Sequence, residues 1–176
     1  MTQPDDISLD DILATKAFQN FVESARHFCL LIETHQSDNP KEFLQTIKRH
    51  LSALYALGLD IPHIYLTSDL DLSVDLSDTE KKTIRQFISD RVPFSYYWIV
   101  LNPVDMKNLA DLGTGDLLDD LEDIYCDIKC GLIMLDKDDF NAKENGVWKL
   151  KFDYDSHWST HCIEALQVIH DYIADN

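Results

Sequence analysis

At 176 residues the chain is long enough for one domain of ordinary size and too short for two, and its 45% of apolar residues can build a core. Five glycines and five prolines argue against a turn-rich all-β sandwich or barrel. A formal net charge of −17 sets the surface against phosphate backbones and anionic lipid headgroups, so no nucleic-acid or membrane role is expected, and cationic partners or divalent ions are favoured.

Residues 1–10 read as a flexible acidic lead-in without the charged and apolar regions of a signal peptide, and residues 11–176 as a single helical domain. No apolar run approaches the ~20 residues of a membrane span. Cys29, Cys126, Cys130 and Cys162 contain no CxxC pair, so they are expected as reduced thiols in a cytoplasmic protein. From residue 11 to Thr34 the set Phe18, Phe21, Val22, Ala25, Phe28, Cys29, Ile32 has helical spacing. After the polar cluster Gln36–Asn39, Pro40 suits a first helical turn. Phe43, Leu44, Ile47, Leu51, Leu54 and Tyr55 then mark a second helix, with Gly58 as its C-terminal cap.

A long connection over 59–76 leads to Ser77 and Glu80 at capping-box spacing, opening a third helix that stops before Pro93. The aromatic and β-branched run 94–101 fits a strand or a buried helix equally, and Tyr96, Tyr97 and Trp98 are expected in the core or at its rim. Tyr97 and Trp98 are also candidates to line a ligand or partner pocket. Residues 116–135 predict an acidic fourth helix capped by Thr114. Asn145-Gly146 reads as a turn, and 147–154 fits strand or helix. A final helix runs from about Ser156 to Ala174. The expected fold class is therefore mainly α, a single compact domain of five or six helices with at most one short β-hairpin.

On a helical wheel Leu117, Leu118, Leu121, Ile124, Tyr125, Ile128 and Leu132 share an arc of about 120°, with Asp116, Asp120, Asp123 and Asp127 along one edge. Four carboxylates in line repel one another by a few tenths of a kcal/mol per exposed pair unless cations offset them. The row is either a solvated face or part of a site for a hard divalent cation such as Mg²⁺ or Mn²⁺, with Asp120, Asp123 and Asp127 as candidate ligands. Asp119-Asp120-Leu121-Glu122-Asp123 spells the aspartate-rich pattern of prenyl-diphosphate enzymes, but those need a larger helical barrel. On the last helix His157 and His161 lie at i, i+4, about 40° apart, and Glu164 follows on the same edge. Such a face supplies nitrogen ligands for Zn²⁺ or Fe²⁺, or holds two packed histidines. Trp158 stands where the HExxH signature requires glutamate. If the two helices pack side by side, the acidic row and the histidines form one mixed site.

Tyr97-Trp98 with Asn102-Pro103, then Asp119-Asp120-Leu121-x-Asp123-Ile124-Tyr125-x-Asp127-Ile128-Lys129-x-Gly131-Leu132, Trp148, and His157-Trp158-x-x-His161 with Ala165-Leu166 follow one another along the second half. On these elements the chain resembles an uncharacterised bacterial family known as a helical domain of unknown function. The resemblance spans roughly residues 15–174 and implies bacterial origin and a helical fold, without an activity. In that pattern a basic residue usually replaces Cys126, and Gly replaces Ser159.

Two functions fit these residues. One is a non-catalytic cytoplasmic module binding a protein or small-molecule partner through its acidic face or aromatic rim, consistent with the absence of a complete catalytic motif. The other is a divalent-metal-dependent hydrolase of phosphate esters or nucleotides, using Mg²⁺, Mn²⁺ or Zn²⁺, with His157 or His161 as ligand or general base. Oligomeric state is not encoded in these patterns.

Overall fold

The computed structural model describes residues 7–34, 39–70 and 72–175. Its elements, in chain order, are α1 (Leu9–Ala14), α2 (Lys16–Thr34), α3 (Pro40–Gly58), α4 (Asp78–Ser89), β1 (Tyr96–Leu101), β2 (Asp111–Asp116), α5 (Leu117–Leu135), α6 (Phe140–Asp153) and α7 (Ser159–Asp175). A π-helical turn, Tyr154–Trp158, joins α6 to α7 without a break. The described residues thus form six continuous helical rods and one two-stranded antiparallel hairpin, the mainly α domain expected. No described helix is long and apolar enough to cross a membrane.

Local chemistry sets most boundaries. The lead-in expected over 1–10 lies outside the described residues as far as residue 6. From Leu9 the chain is already helical, because Ser8 caps α1 and both Leu9 and Ile12 are buried. Thr15 then breaks the helix expected to be continuous. Its backbone is extended, and its Oγ1 accepts from Phe18 N at 3.2 Å, starting α2 afresh. Asn39 caps α3 through Lys41 N and Glu42 N, with Pro40 in the first turn; residues 36–38 of the expected polar cluster lie outside the described residues. Ser77 and Glu80 close the anticipated capping box on α4. The described part of 59–76 has no regular structure and is pinned by the buried Glu144, which accepts from Thr67 N at 2.9 Å.

Helix α5 lies at the centre, packed on α2, α4, α6 and α7, while α3 packs on α2 and α7. Phe21, Phe28, Phe43, Leu51, Leu54, Leu117 and Trp158 are among the fully buried core residues. Where α5 meets α6, glycine does the work that larger residues cannot. A Cβ on Gly131 would lie 2.5 Å from Leu150 Cγ, and one on Gly146 would lie 3.1 Å from the Gly131 carbonyl oxygen. Asn145-Gly146 is therefore not a turn: both residues are buried inside α6, with Gly146 at the close helix–helix approach. Gly58 likewise is not the left-handed cap expected. It is the last residue of α3, with Leu59 as the cap, and the Tyr154 ring lies where its Cβ would be. Gly131→Ala is expected to lose about 1–3 kcal/mol by overpacking; urea denaturation of the variant measures it.

The two segments that fitted strand or helix resolve oppositely: 96–101 is a strand and 147–153 lies in α6. β1 pairs with β2 from Tyr96↔Asp116 to Leu101↔Asp111, and Asn102 leaves the strand with φ 51°, a conformation Asn tolerates. Thr114 belongs to β2, so the cap of α5 is Asp116, which accepts from Leu118 N. The expectation of a buried aromatic cluster fails for two of its members. Tyr96 and Trp98 are 73% and 77% exposed, because strand alternation turns only Tyr97 inward. All four cysteines are unpaired thiols. Burial pushes the thiols of Cys29, Cys126 and Cys162 up to about 12, which keeps them protonated at neutral pH.

Candidate metal centre

The acidic row on α5 divides between two neighbours. On the α4 side, Arg85 gathers Asp116 (3.2 Å), Asp119 (3.3 Å) and Glu122 (2.7 Å), the cation that offsets their mutual repulsion. On the α7 side, Asp120, Asp123 and Asp127 meet the histidines. Asp127 Oδ2 lies 2.7 Å from His157 Nδ1, and Asp120 Oδ1 lies 2.8 Å from His161 Nδ1. Asp123 Oδ2 stands between, 3.5 Å from His161 Nε2 and 3.8 Å from His157 Nε2. The acidic row and the histidine pair therefore converge, and all five candidate residues of that site come together.

A backbone turn and a ring contact hold the histidines there. His157 sits within the π turn, which adds a residue to the helical circuit before α7 begins. The two imidazoles meet edge to face, with centroids 4.8 Å apart. Asp120 is 3% exposed and fully engaged: its Oδ1 takes His161, and its Oδ2 accepts from Tyr97 OH at 2.5 Å. Tyr97 reaches it by lying across Gly115, whose absent Cβ would stand 2.3 Å from the tyrosine ring. Tyr97 thus joins the site, whereas Trp98 lies on the other face of the hairpin; both also line a groove against α7. Lys149 backs the centre, bonded to Asp153 at 2.5 Å and 4.0 Å from Asp127 Oδ1.

The donor chemistry follows from the acceptors. An ionised carboxylate only accepts, so each histidine donates its Nδ1–H and turns its Nε2 lone pair outward when neutral. Nε2 of His157 and Nε2 of His161 then both lie beside Asp123 Oδ2, at 3.8 and 3.5 Å, and one ligand atom from each of the three residues lies within 4.8 Å of the others. Tetrahedral bonds of 2.0–2.1 Å place ligand atoms about 3.3 Å apart, so the observed 3.5 and 3.8 Å need only a small contraction. Asp120 and Asp127 are not equivalent to Asp123: their oxygens orient the imidazoles, the arrangement that fixes ring direction in metal sites. Glu164 forms a second set with Asp120 and His161, but there His161 Nδ1 and Asp120 already bind each other.

Charge is out of balance at this point. The Asp120 hydrogen bond raises the His161 pKa above the ordinary histidine value. Burial, then the neighbouring Asp119 charge, raise that of Asp123. A divalent ion would reverse both influences. Without metal, each raised pKa means that the folded state holds its proton more tightly than the unfolded state does. The His161 contribution is then complete below about pH 6.5 and is lost as pH rises through its raised value, while the Asp123 contribution is lost earlier, across the upper carboxylate range. Urea denaturation in EDTA should show stability falling as pH rises through the raised Asp123 and His161 values, and His161→Gln should flatten the upper part of that slope.

Sequence spacing anticipated the ligand types but not Gly115, Arg85 or Lys149. No motif marks them; each acts through a contact between elements remote in the chain.

Fold and site together define a helical domain with a composite aspartate–histidine centre between two adjacent helices. The chain belongs to the family described as a domain of unknown function, DUF5063, whose model matches residues 13–175. Protein BF1032 from Bacteroides fragilis, a structural-genomics target, has a similar fold, with a TM-score of 0.76 and 17% identity over 92% of this chain and 94% of that one. At that identity the likeness shows the fold alone. No curated protein matches the chain.

Proposed function

We propose that this domain is a ligand-binding helical module whose ligand is a divalent transition-metal ion, held by Asp123, His157 and His161. The observation that supports the reading is the pair of Nδ1–carboxylate hydrogen bonds, 2.7 and 2.8 Å, which leaves both Nε2 atoms beside one Asp123 oxygen. Two imidazoles and one carboxylate suit Zn²⁺, Mn²⁺ or Fe²⁺ better than Mg²⁺, which prefers oxygen ligands and retains its waters. Asp120 and Asp127 act in support, as do Tyr97 and Lys149 behind them. Titration with Co²⁺ tests this reading directly. A saturable visible spectrum of a low-symmetry, nitrogen-ligated ion is expected at one equivalent, and a spectrum no different from aqueous Co²⁺ would refute the site.

Three protein ligands leave positions open for water, the pattern of catalytic rather than structural metal sites. This favours a second reading of the same centre, metal-dependent hydrolysis of phosphate esters or nucleotides through a metal-bound water. Turnover of bis(p-nitrophenyl) phosphate and of nucleoside triphosphates, with Mn²⁺ or Zn²⁺ present, is the assay. Activity that disappears in Asp123→Asn supports hydrolysis, and metal binding without turnover leaves the binding module.

A further inference from the structure

The hairpin also borders a groove against α7. The sheet has two strands, so β1 has no strand neighbour on its outer edge among the described residues. Leu117 N donates to Ser95 O at 2.8 Å. Hydrogen-bonded pairs therefore recur at Tyr97, Ile99 and Leu101, and the backbone groups of Tyr96, Trp98 and Val100 point to the free edge. That edge borders a groove of about 440 Å³ against α7, within the range of roughly 300–1,000 Å³ typical of ligand clefts. Tyr97, Trp98, Ile99 and Val100 of β1 form one wall, Ile163 and Val168 of α7 the other, and Glu164 and Asp171 supply carboxylates. Among the described residues neither carboxylate is in a salt bridge.

We propose that this groove binds an extended peptide segment of alternating aliphatic and basic residues, which adds as a strand to the outer edge of β1. An unpaired edge offers backbone hydrogen bonds to any extended chain, and side-chain pockets select among them. The apolar walls take the aliphatic side chains, and Glu164 and Asp171 take lysine or arginine. The net charge of −17 steers such a peptide in and repels nucleic acid. It also disfavours a second copy of this chain, which carries the same charge of −17. The groove shares Tyr97 and Glu164 with the surroundings of the metal centre, but peptide binding needs no ion and is tested in EDTA, so either reading can fail alone.

The probe is a dye-labelled, end-blocked hexapeptide alternating valine and lysine, followed by fluorescence anisotropy. Saturable binding is expected. A version with alternate amides N-methylated, and one with glutamate in place of lysine, should bind about tenfold more weakly or worse. Trp98→Ala and Glu164→Gln, both outside the packed core, should each weaken binding about fivefold. An acidic surface that merely attracts cations would bind the N-methylated peptide equally well and ignore Trp98→Ala. Either result, or no saturation, overturns the proposal.

Discussion

Replacing Asp120 with alanine is expected to lower the unfolding free energy by about 2–3 kcal/mol, because two half-buried donors lose their acceptor together. Tyr97 OH and His161 Nδ1 both bond this carboxylate, which is itself 3% exposed. Asp120→Asn keeps the shape and one acceptor oxygen, so it should lose less than the alanine variant. Urea denaturation in EDTA separates these effects from metal binding. The alanine variant should also bind metal about 10–100-fold more weakly, since a supporting carboxylate fixes the direction of the ligand ring. A change within about 0.5 kcal/mol, the usual range for surface substitutions, would mean that the buried network does not hold the hairpin to α5 and α7.

Trp158→Ala is expected to cost about 3–5 kcal/mol, the range for large aromatic deletions in a core. The side chain is fully buried, stacked on Phe21 at 6.4 Å between centroids and edge-on to Tyr154 at 4.9 Å. It also ends the π turn that carries His157, so its loss should loosen that histidine as well as the core. Its indole Nε1 is buried without a hydrogen-bond partner among the described residues. Trp158→Phe removes that unsatisfied donor while keeping an aromatic ring, so its cost should be clearly smaller than that of the alanine variant. Thermal unfolding of the two variants side by side checks the order. Equal losses would show that the ring surface is not what stabilises the turn.

The helices with strong periodicity and clear caps could be read from the residues themselves. Asn39-Pro40 and Ser77 with Glu80 start helices where expected because capping depends on neighbours two or three residues away. Several of the failures depend on partners remote in the chain. Asn145-Gly146 carries turn chemistry, yet it lies inside α6, where a glycine suits the tight approach of α5. Tyr96 and Trp98 are apolar enough for a core, but a two-stranded hairpin buries only one face, and Tyr97 takes it. The π turn escapes a wheel drawn at 3.6 residues per turn. At the site, spacing identified the edge of each helix that bears ligands, and the packing of α5 on α7 brought those edges together. The separation of Asp123 from Asp120 and Asp127 rests on which carboxylate meets which imidazole nitrogen, a distinction no periodicity contains.

Isothermal titration with Zn²⁺ and Mn²⁺, against Mg²⁺ as the comparison, tests the metal centre most directly when run on the wild-type protein and on Asp123→Asn. Binding at one equivalent should be strongest for the transition metals, and thermal stability should rise with free metal by mass action. In metal-free buffer Asp123→Asn should be as stable as the wild type or slightly more so, because it relieves repulsion with the neighbouring carboxylates, while its metal response disappears. His161→Ala should abolish the same response, and combining the two changes should remove no more metal binding than either alone. Equal weak binding of all three ions, unaffected by Asp123→Asn, would contradict the centre and leave the row as a solvated face paired with two histidines.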